Sequence, residues 1–272
     1  MYPVVPGHEI IGEVVAAGAK VAGLKVGDRV GVGAQVYSVY TYNYKYADGA
    51  VAYGGYAERV RVSHHYAFRI PDALPSDQAA PLLCAGVTTF APLKRLGVNV
   101  GTRVGVVGIG GLGHLALQFA AALGAEVTAI STSSNKADQA RQLGATKFLL
   151  FNDDAAIAAA ANAFDVVVVT TDQNDNDWAR MLSLIDAGGK LLLLAAPNKP
   201  LAVPALAVLF GQRSIVGSLI GSREVEEATL AVAAEHNVRA WVHTLPLDQV
   251  NQGVQMVRDG KARYRVVLTT TH

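Results

Sequence analysis

Beyond residue 100 the chain alternates between short apolar runs and longer stretches whose apolar residues recur at helical spacing. The runs Val104–Val107, Val127–Ile130, Lys147–Phe151, Asp165–Thr170, Lys190–Ala195 and Ser214–Ile220 read as strands. Helical stretches near 111–123, 134–143, 153–163 and 176–187 separate the first five, and another near 204–211 precedes the sixth. Runs this short and this evenly apolar suit strands buried on both faces. Their alternation with helices predicts an α/β fold, a doubly wound parallel Rossmann-type sheet with connections on both faces. Gly144 and Gly188-Gly189 fall where helices are expected to stop.

The first hundred residues follow a different period. Ile10–Val15, Arg29–Val32, Tyr56–Val62 and Tyr66–Ile70 are short alternating runs broken by Gly18, Gly23, Gly27, Gly31 and Gly54-Gly55. They predict a small antiparallel barrel or curled sheet. After the sixth parallel strand come an amphipathic helix near 223–236, a strand at Arg239–Thr244, a helix near 247–259 and a strand at Tyr264–Leu268. This tail is expected to rejoin the β-rich part. The resulting domains are 1–84 with 223–272, and 85–222.

Composition narrows the function classes. The chain has 272 residues, 51% of them hydrophobic, and a net charge of +1, which excludes a disordered polyelectrolyte. No run of basic residues points to nucleic acid, and no apolar segment is long enough to span a membrane. The tyrosine-rich stretch 37–56 has only Lys45 as a cation, with Arg59 just beyond, so loop packing describes it better than a base-stacking surface. The opening Met1-Tyr2-Pro3-Val4-Val5-Pro6 is not a signal peptide. One cysteine permits no internal disulfide and suits a reducing compartment, so a cytoplasmic location is expected.

The strongest chemical signal is the turn after the first parallel strand, Gly108-Ile109-Gly110-Gly111-Leu112-Gly113, which runs into an Ala/Leu-rich helix and a second strand. In this βαβ setting each glycine has a job: Gly108 for the tight turn, Gly110 for close approach of a pyrophosphate, Gly113 for close helix packing. The helix N-terminus then offers N–H groups to the phosphates. A glycine turn without a ligand is the plainer alternative, but nothing else requires three glycines at these spacings. Where an NAD site usually carries Asp or Glu, this chain has Ser131-Thr132-Ser133-Ser134-Asn135-Lys136. Hydroxyls beside a lysine welcome a 2′-phosphate that a carboxylate would repel, which favours NADP(H). Ser133 or Ser134 also suits a helix cap, and both roles are compatible.

Six ordered motifs carry a resemblance. They are Val5-Pro6-Gly7-His8-Glu9, Gly27-Asp28-Arg29-Val30-Gly31, Gly54-Gly55-Tyr56-Ala57, Pro81–Thr88 (with Leu-Cys-Ala-Gly at 83–86), Gly108–His114 and Gly260–Arg265. Together the chain resembles the zinc-type medium-chain alcohol dehydrogenases, in the NADP-dependent branch similar to cinnamyl alcohol dehydrogenases. The resemblance implies a GroES-like β-rich domain, incomplete and discontinuous, beside the Rossmann domain. It implies hydride transfer between nicotinamide and a primary alcohol or aldehyde. It also implies a catalytic Zn²⁺ with His8, Glu9 and Cys84 as the catalytic and metal candidates, a donor set suited to that ion. Thr88 is placed near the nicotinamide. Thr170-Thr171, Ala195-Ala196-Pro197 and Ser218-Leu219-Ile220 line the cofactor crevice, where open parallel sheets bind ligands. A homodimer through the Ser214–Ile220 edge is implied as well, since an apolar edge strand needs cover.

Two departures from the family pattern set further expectations. The sequence begins just before Gly-His-Glu, without the family's first zinc-ligand cysteine and its proton-relay hydroxyl. The region 35–43 lacks the cysteines of the family's structural zinc, so no structural zinc is expected there. Adjacent His8 and Glu9 would point to opposite faces of a regular strand, so both serve one site only if Pro6-Gly7 leaves the pleat. With part of the barrel wall missing, Ile10, Val14 and Val60 are expected bare or covered by a partner. Two alternatives stay open: an NADP-binding protein without alcohol dehydrogenase turnover, and a zinc-independent quinone or enone reductase, against which Gly-His-Glu and Cys84 argue. His64-His65 and His236 read as solvated, His114 as packing or capping, and His243 has no assigned role.

Overall fold

The computed structural model describes residues 4–36, 39–40, 45–173 and 175–270. In chain order the strands β1 (Ile10–Glu13), β2 (Arg29–Val32), β3 (Gln35–Val36), β4 (Val39–Tyr40) and β5 (Ala67–Arg69) precede helices α1 (Ser76–Ala79) and α2 (Ala85–Arg95). Then come β6 (Arg103–Val107), α3 (Gly113–Ala122), β7 (Glu126–Ser131), α4 (Ala137–Gln142), β8 (Lys147–Leu150), α5 (Asp154–Ala159) and β9 (Phe164–Val169). The chain continues through α6 (Trp178–Ser183), β10 (Ile185–Leu193), α7 (Ala205–Leu209) and β11 (Ser214–Gly217). It closes with α8 (Arg223–Glu235), β12 (Val242–Pro246), α9 (Val250–Arg258) and β13 (Arg265–Thr269). Contacts divide it into two units, Met1–Val87 with Ile220–His272, and Thr88–Leu219.

The second unit is built on a six-stranded sheet in the order β11-β10-β9-β6-β7-β8, with every pairing parallel. The chain winds outward from β6 to β8, returns across the sheet to β9, and winds outward again to β11. This doubly wound order puts a topological switch point between β6 and β9. Val166 to Val169 are all buried, as expected for a strand covered on both faces. One face packs Val107, Ile130, Phe164, Val167 and Val169 against Trp178, Met181 and Leu182 of α6. Elsewhere in this unit Phe90 and Phe119 rings meet at 5.3 Å. Burying each such side chain contributes about 1.5–3 kcal/mol against leaving it in water.

The first unit holds a three-stranded antiparallel sheet, β1-β2-β5, a parallel pair β12-β13 and the short antiparallel pair β3-β4. Helix α8 buries Glu226, Thr229, Leu230 and Ala233, a stripe at helical spacing. Arg239 ties the tail to the β-rich segment by donating to the Ala73 carbonyl at 2.8 Å.

Several expected elements differ. Tyr56–Val62 forms no strand: Gly54, Gly55 and Tyr56 donate to the carbonyls of Val5, Gly7 and Pro6, so a loop-to-loop contact takes the backbone groups a ladder would need. Gly188-Gly189 does not end a helix. Helix α6 stops at Ser183, and both glycines lie inside β10 at a register shift between Ile185 and Lys190. The helix expected over 134–143 is split, because Ser133 caps a 3-10 turn at Ser134–Lys136 before α4 begins. The tail strand lies at Val242–Pro246 rather than Arg239–Thr244. Ile10, Val14 and Val60 are half-buried rather than bare. The tyrosine-rich stretch and the 35–43 region lie partly outside the described residues.

Candidate active site

Two groups of expected site residues assemble, one in each unit. In the second, the crevice at the switch point begins where β6 ends and the chain turns at Gly108, with φ +91°. Gly108 donates to the Ile130 carbonyl at 3.0 Å, fastening the turn to β7. Thr170, expected to line the cofactor crevice, lies with its hydroxyl 3.0 Å and 3.1 Å from the carbonyl oxygens of Val107 and Gly108, bracing the turn. A β-carbon at Gly113 would sit 1.9 Å from the Gly108 carbonyl oxygen, so only glycine lets α3 start this close to the turn. At Gly110 the same β-carbon would meet nothing within 4 Å. The turn therefore has a tightly packed inner side and an open side at Gly110. That open side stands at the N-terminal end of α3, where His114 donates its N–H to the Gly110 carbonyl and Leu115 and Ala116 donate theirs to Leu112, and it fits a dinucleotide pyrophosphate approaching the turn itself. Ile109 is buried, while Gly111 and Leu112 are half-buried. His114 is fully buried with Nδ1 2.9 Å from the Gly110 carbonyl oxygen, a packing role.

At the end of β7, Ser131 is half-buried and Thr132 and Ser133 are exposed. Ser133 Oγ accepts from the Asn135 N–H at 3.4 Å, so the capping role is occupied. Lys136 reaches back to the glycine turn and donates to the Ile109 carbonyl at 2.8 Å. Thr88 is buried in α2, Ala195 is half-buried just beyond β10, and Ser218 donates its N–H to the Leu193 carbonyl at 3.3 Å. Ile220, expected with this group, falls in the first unit.

In the first unit Gly7 has φ +98°, and β1 begins only at Ile10, so His8 and Glu9 precede the regular pleat. Both converge on one short segment. His8 Nε2 lies 3.2 Å from Cys84 Sγ, and Glu9 Oε1 accepts from the Ala85 N–H at 3.2 Å. Ala85 opens α2, where a carboxylate is favoured by the helix dipole. The other Glu9 oxygen accepts from Arg265 of β13 in a salt bridge. His8 and Cys84 thus fit two corners of a zinc site with suitable donors. The Glu9 carboxylate is already engaged, and among the described residues no group of three such donors forms a metal cluster.

Two participants were not singled out from the sequence. Arg265 stands in the Gly260–Arg265 motif, and its role becomes visible only when β13 reaches Glu9. Glu226 is 6% exposed, with Oε1 unpartnered. Burial, reinforced by the Glu9 charge, pushes its carboxyl up to about 9. Its spacing with Thr229, Leu230 and Ala233 on the buried stripe of α8 was the available signal. His64 and His65, expected solvated, lie with ring centroids 4.0 Å apart and tilted 36°, and line a cavity of about 470 Å³ with Arg69, Arg223 and Glu227; neither His8 nor Cys84 lines it.

Comparison with known proteins places this geometry in a family. Residues 1–72 match the alcohol dehydrogenase GroES-like domain, and residues 111–235 match the zinc-binding dehydrogenase domain. A probable mannitol dehydrogenase of Fragaria ananassa is 41% identical over 98% of this chain and 80% of its own length. A probable formaldehyde dehydrogenase of Bacillus subtilis is 42% identical over 98% of this chain and 82% of its own. A cinnamyl alcohol dehydrogenase structure from Sorghum bicolor superposes with a TM-score of 0.91 at 37% identity, covering 98% of this chain and 82% of that one. A Helicobacter pylori relative solved with NADP(H) gives 0.86 at 29% identity, covering 98% and 82%. No helix among the described residues is long and apolar enough to cross a membrane. With both domain types matched and such relatives along nearly its whole length, the chain belongs to the zinc-type medium-chain alcohol dehydrogenase family.

Proposed function

We propose that this protein is an NADP(H)-dependent alcohol dehydrogenase and aldehyde reductase. It would catalyse aldehyde + NADPH + H⁺ ⇌ primary alcohol + NADP⁺ in the cytoplasm. The observation that carries the reading is the turn at 108–113, packed at Gly113 and open at Gly110. Its open side gives a pyrophosphate room against backbone N–H groups. Ser131, Thr132 and Ser133, with the Lys136 ammonium, offer hydroxyl and cationic donors and no carboxylate to a 2′-phosphate. Bound dihydronicotinamide would supply the hydride, and a zinc ion, which His8 and Cys84 would help hold, would supply a Lewis acid for the carbonyl oxygen. Arg265 holds Glu9 against the start of α2, which keeps the adjacent His8 beside Cys84.

The same residues support a second reading, an NADP-binding protein without dehydrogenase turnover. The salt bridge engages Glu9, so two of the three candidate donors, His8 and Cys84, remain for a metal. Metal content measured on purified protein, with NADPH-linked reduction of an aromatic aldehyde, separates the two. Turnover that depends on bound zinc supports the enzyme. Quenching of NADPH fluorescence with neither metal nor aldehyde reduction supports the binder, and metal-free reduction of an enone would overturn both. A homodimer through β11 completes the proposal. Ile215 on this edge strand is 37% exposed, and Leu219 just beyond it is 70% exposed.

A further inference from the structure

Lys136 joins two parts of the nucleotide site that the sequence keeps 27 residues apart, through its 2.8 Å bond to the Ile109 carbonyl. The sheet makes this reach possible. Val107 pairs with Ile130 in parallel register, so the turns after β6 and β7 leave the same edge side by side. Ile109 is 3% exposed, and its carbonyl belongs to the peptide that carries the Gly110 N–H. That peptide is a rigid trans plane in which C=O and N–H point in opposite directions. Holding the oxygen therefore aims the nitrogen, and Gly110 is the open position of the turn. The Gly110 carbonyl is held from the other side by His114, so Lys136 fixes the remaining freedom of a residue with no β-carbon to restrain it.

We propose that Lys136 is a positioning residue for the glycine turn: by holding the Ile109 carbonyl it sets the Gly110 N–H for a pyrophosphate. It thereby strengthens binding of every dinucleotide, not only one with a 2′-phosphate. The inference rests on the dinucleotide site proposed above and adds a role that charge recognition alone does not require. An ammonium carries three donors, so one can stay on the carbonyl while others meet a phosphate. A charge-assisted bond to a carbonyl is stronger than a neutral one, which makes the lysine an effective anchor.

The test compares wild type with Lys136→Met and Lys136→Arg. ADP-ribose, which has the pyrophosphate but neither nicotinamide nor 2′-phosphate, is titrated by calorimetry, and NADH and NADPH by fluorescence. Amide exchange of residues 108–113 is followed in the ligand-free proteins. Lys136→Met is expected to bind ADP-ribose and NADH roughly tenfold more weakly, and NADPH more weakly still. Lys136→Arg should recover much of the ADP-ribose affinity, and exchange at Gly108, whose N–H is bonded to the Ile130 carbonyl, should quicken in Lys136→Met. Unchanged ADP-ribose and NADH affinity with weakened NADPH would reduce Lys136 to a phosphate contact and overturn the proposal. Unchanged exchange would overturn it too. If wild type binds none of the three ligands, the cofactor reading fails, while the exchange comparison still decides whether Lys136 holds the turn.

Discussion

Two alanine substitutions in the same turn should have opposite consequences. At Gly113 an added β-carbon lies 1.9 Å from the Gly108 carbonyl oxygen and 2.9 Å from Thr170 Oγ1. Bringing the first contact out to 3.0 Å requires turn and helix to part by about 1.1 Å. The atoms in the way are backbone, and Thr170 braces that same carbonyl, so no flexible side chain can yield. Overpacking of this kind costs typically 1–3 kcal/mol, and a contact this short belongs at about 3. For a chain of this size that lowers the melting temperature by roughly 10 °C. Gly110→Ala meets no atom within 4 Å and should melt within about a degree of wild type. Its methyl instead stands where the pyrophosphate would approach, and NADPH affinity should fall at least tenfold, about 1.4 kcal/mol. Calorimetric melting and NADPH fluorescence titration read the two effects separately. A Gly113→Ala protein as stable as wild type would refute the packing argument, and a Gly110→Ala protein with normal NADPH affinity would refute the placement of the phosphates.

Other expectations follow from the first unit and the sheet edge. Glu226 holds its proton up to about 9 when folded, against 4.5 as its ordinary value. Below the ordinary value both states are protonated and nothing is lost. Between the two values only the unfolded chain releases the proton, so stability declines as pH rises, by up to about 1.4 kcal/mol per unit. Glu226→Gln should flatten that decline, and equal slopes for both proteins in urea titrations from pH 5 to 9 would contradict it. His8→Ala and Cys84→Ser should each lower zinc content and aldehyde reduction while leaving NADPH quenching within twofold (about 0.4 kcal/mol); retained zinc in both variants would dismiss the pair as its donors. Ile215→Lys should shift the protein from dimer to monomer in sedimentation, whereas an unaltered dimer moves the interface away from β11.

The parallel sheet and its glycine turn were legible in sequence because they rest on local chemistry. Buried strands need continuous apolar runs, and a turn against a helix start needs glycine at fixed steps. The register shift in β10 was not legible, since Gly188-Gly189 resembles a helix stop until β9 supplies a partner. Tyr56–Val62 alternates like a strand, yet the backbone just before it bonds to residues 5–7, a choice set by distant chain. At the site, His8 and Cys84 came from motif resemblance, and their 3.2 Å approach depends on Gly7 and on how α2 begins. That Thr170 also braces the turn was not legible, because the carbonyls its hydroxyl meets are brought to it only by the neighbouring strand. Glu226 escaped notice because a glutamate on an amphipathic helix is ordinarily solvated.

The salt bridge from Arg265 to Glu9 closes a loop of 256 residues, so the first unit is assembled from both halves of a split segment. On the ribosome, residues 88–219 emerge as an uninterrupted block, whereas β1, β2 and β5 emerge well before α8 and β13, which belong to the same unit. A nascent chain stalled after residue 219 would therefore carry a protease-resistant parallel-sheet body preceded by a cleavable N-terminal arm. During that interval the arm's apolar strands stand exposed to association and proteolysis, so the order of synthesis sets a window of vulnerability.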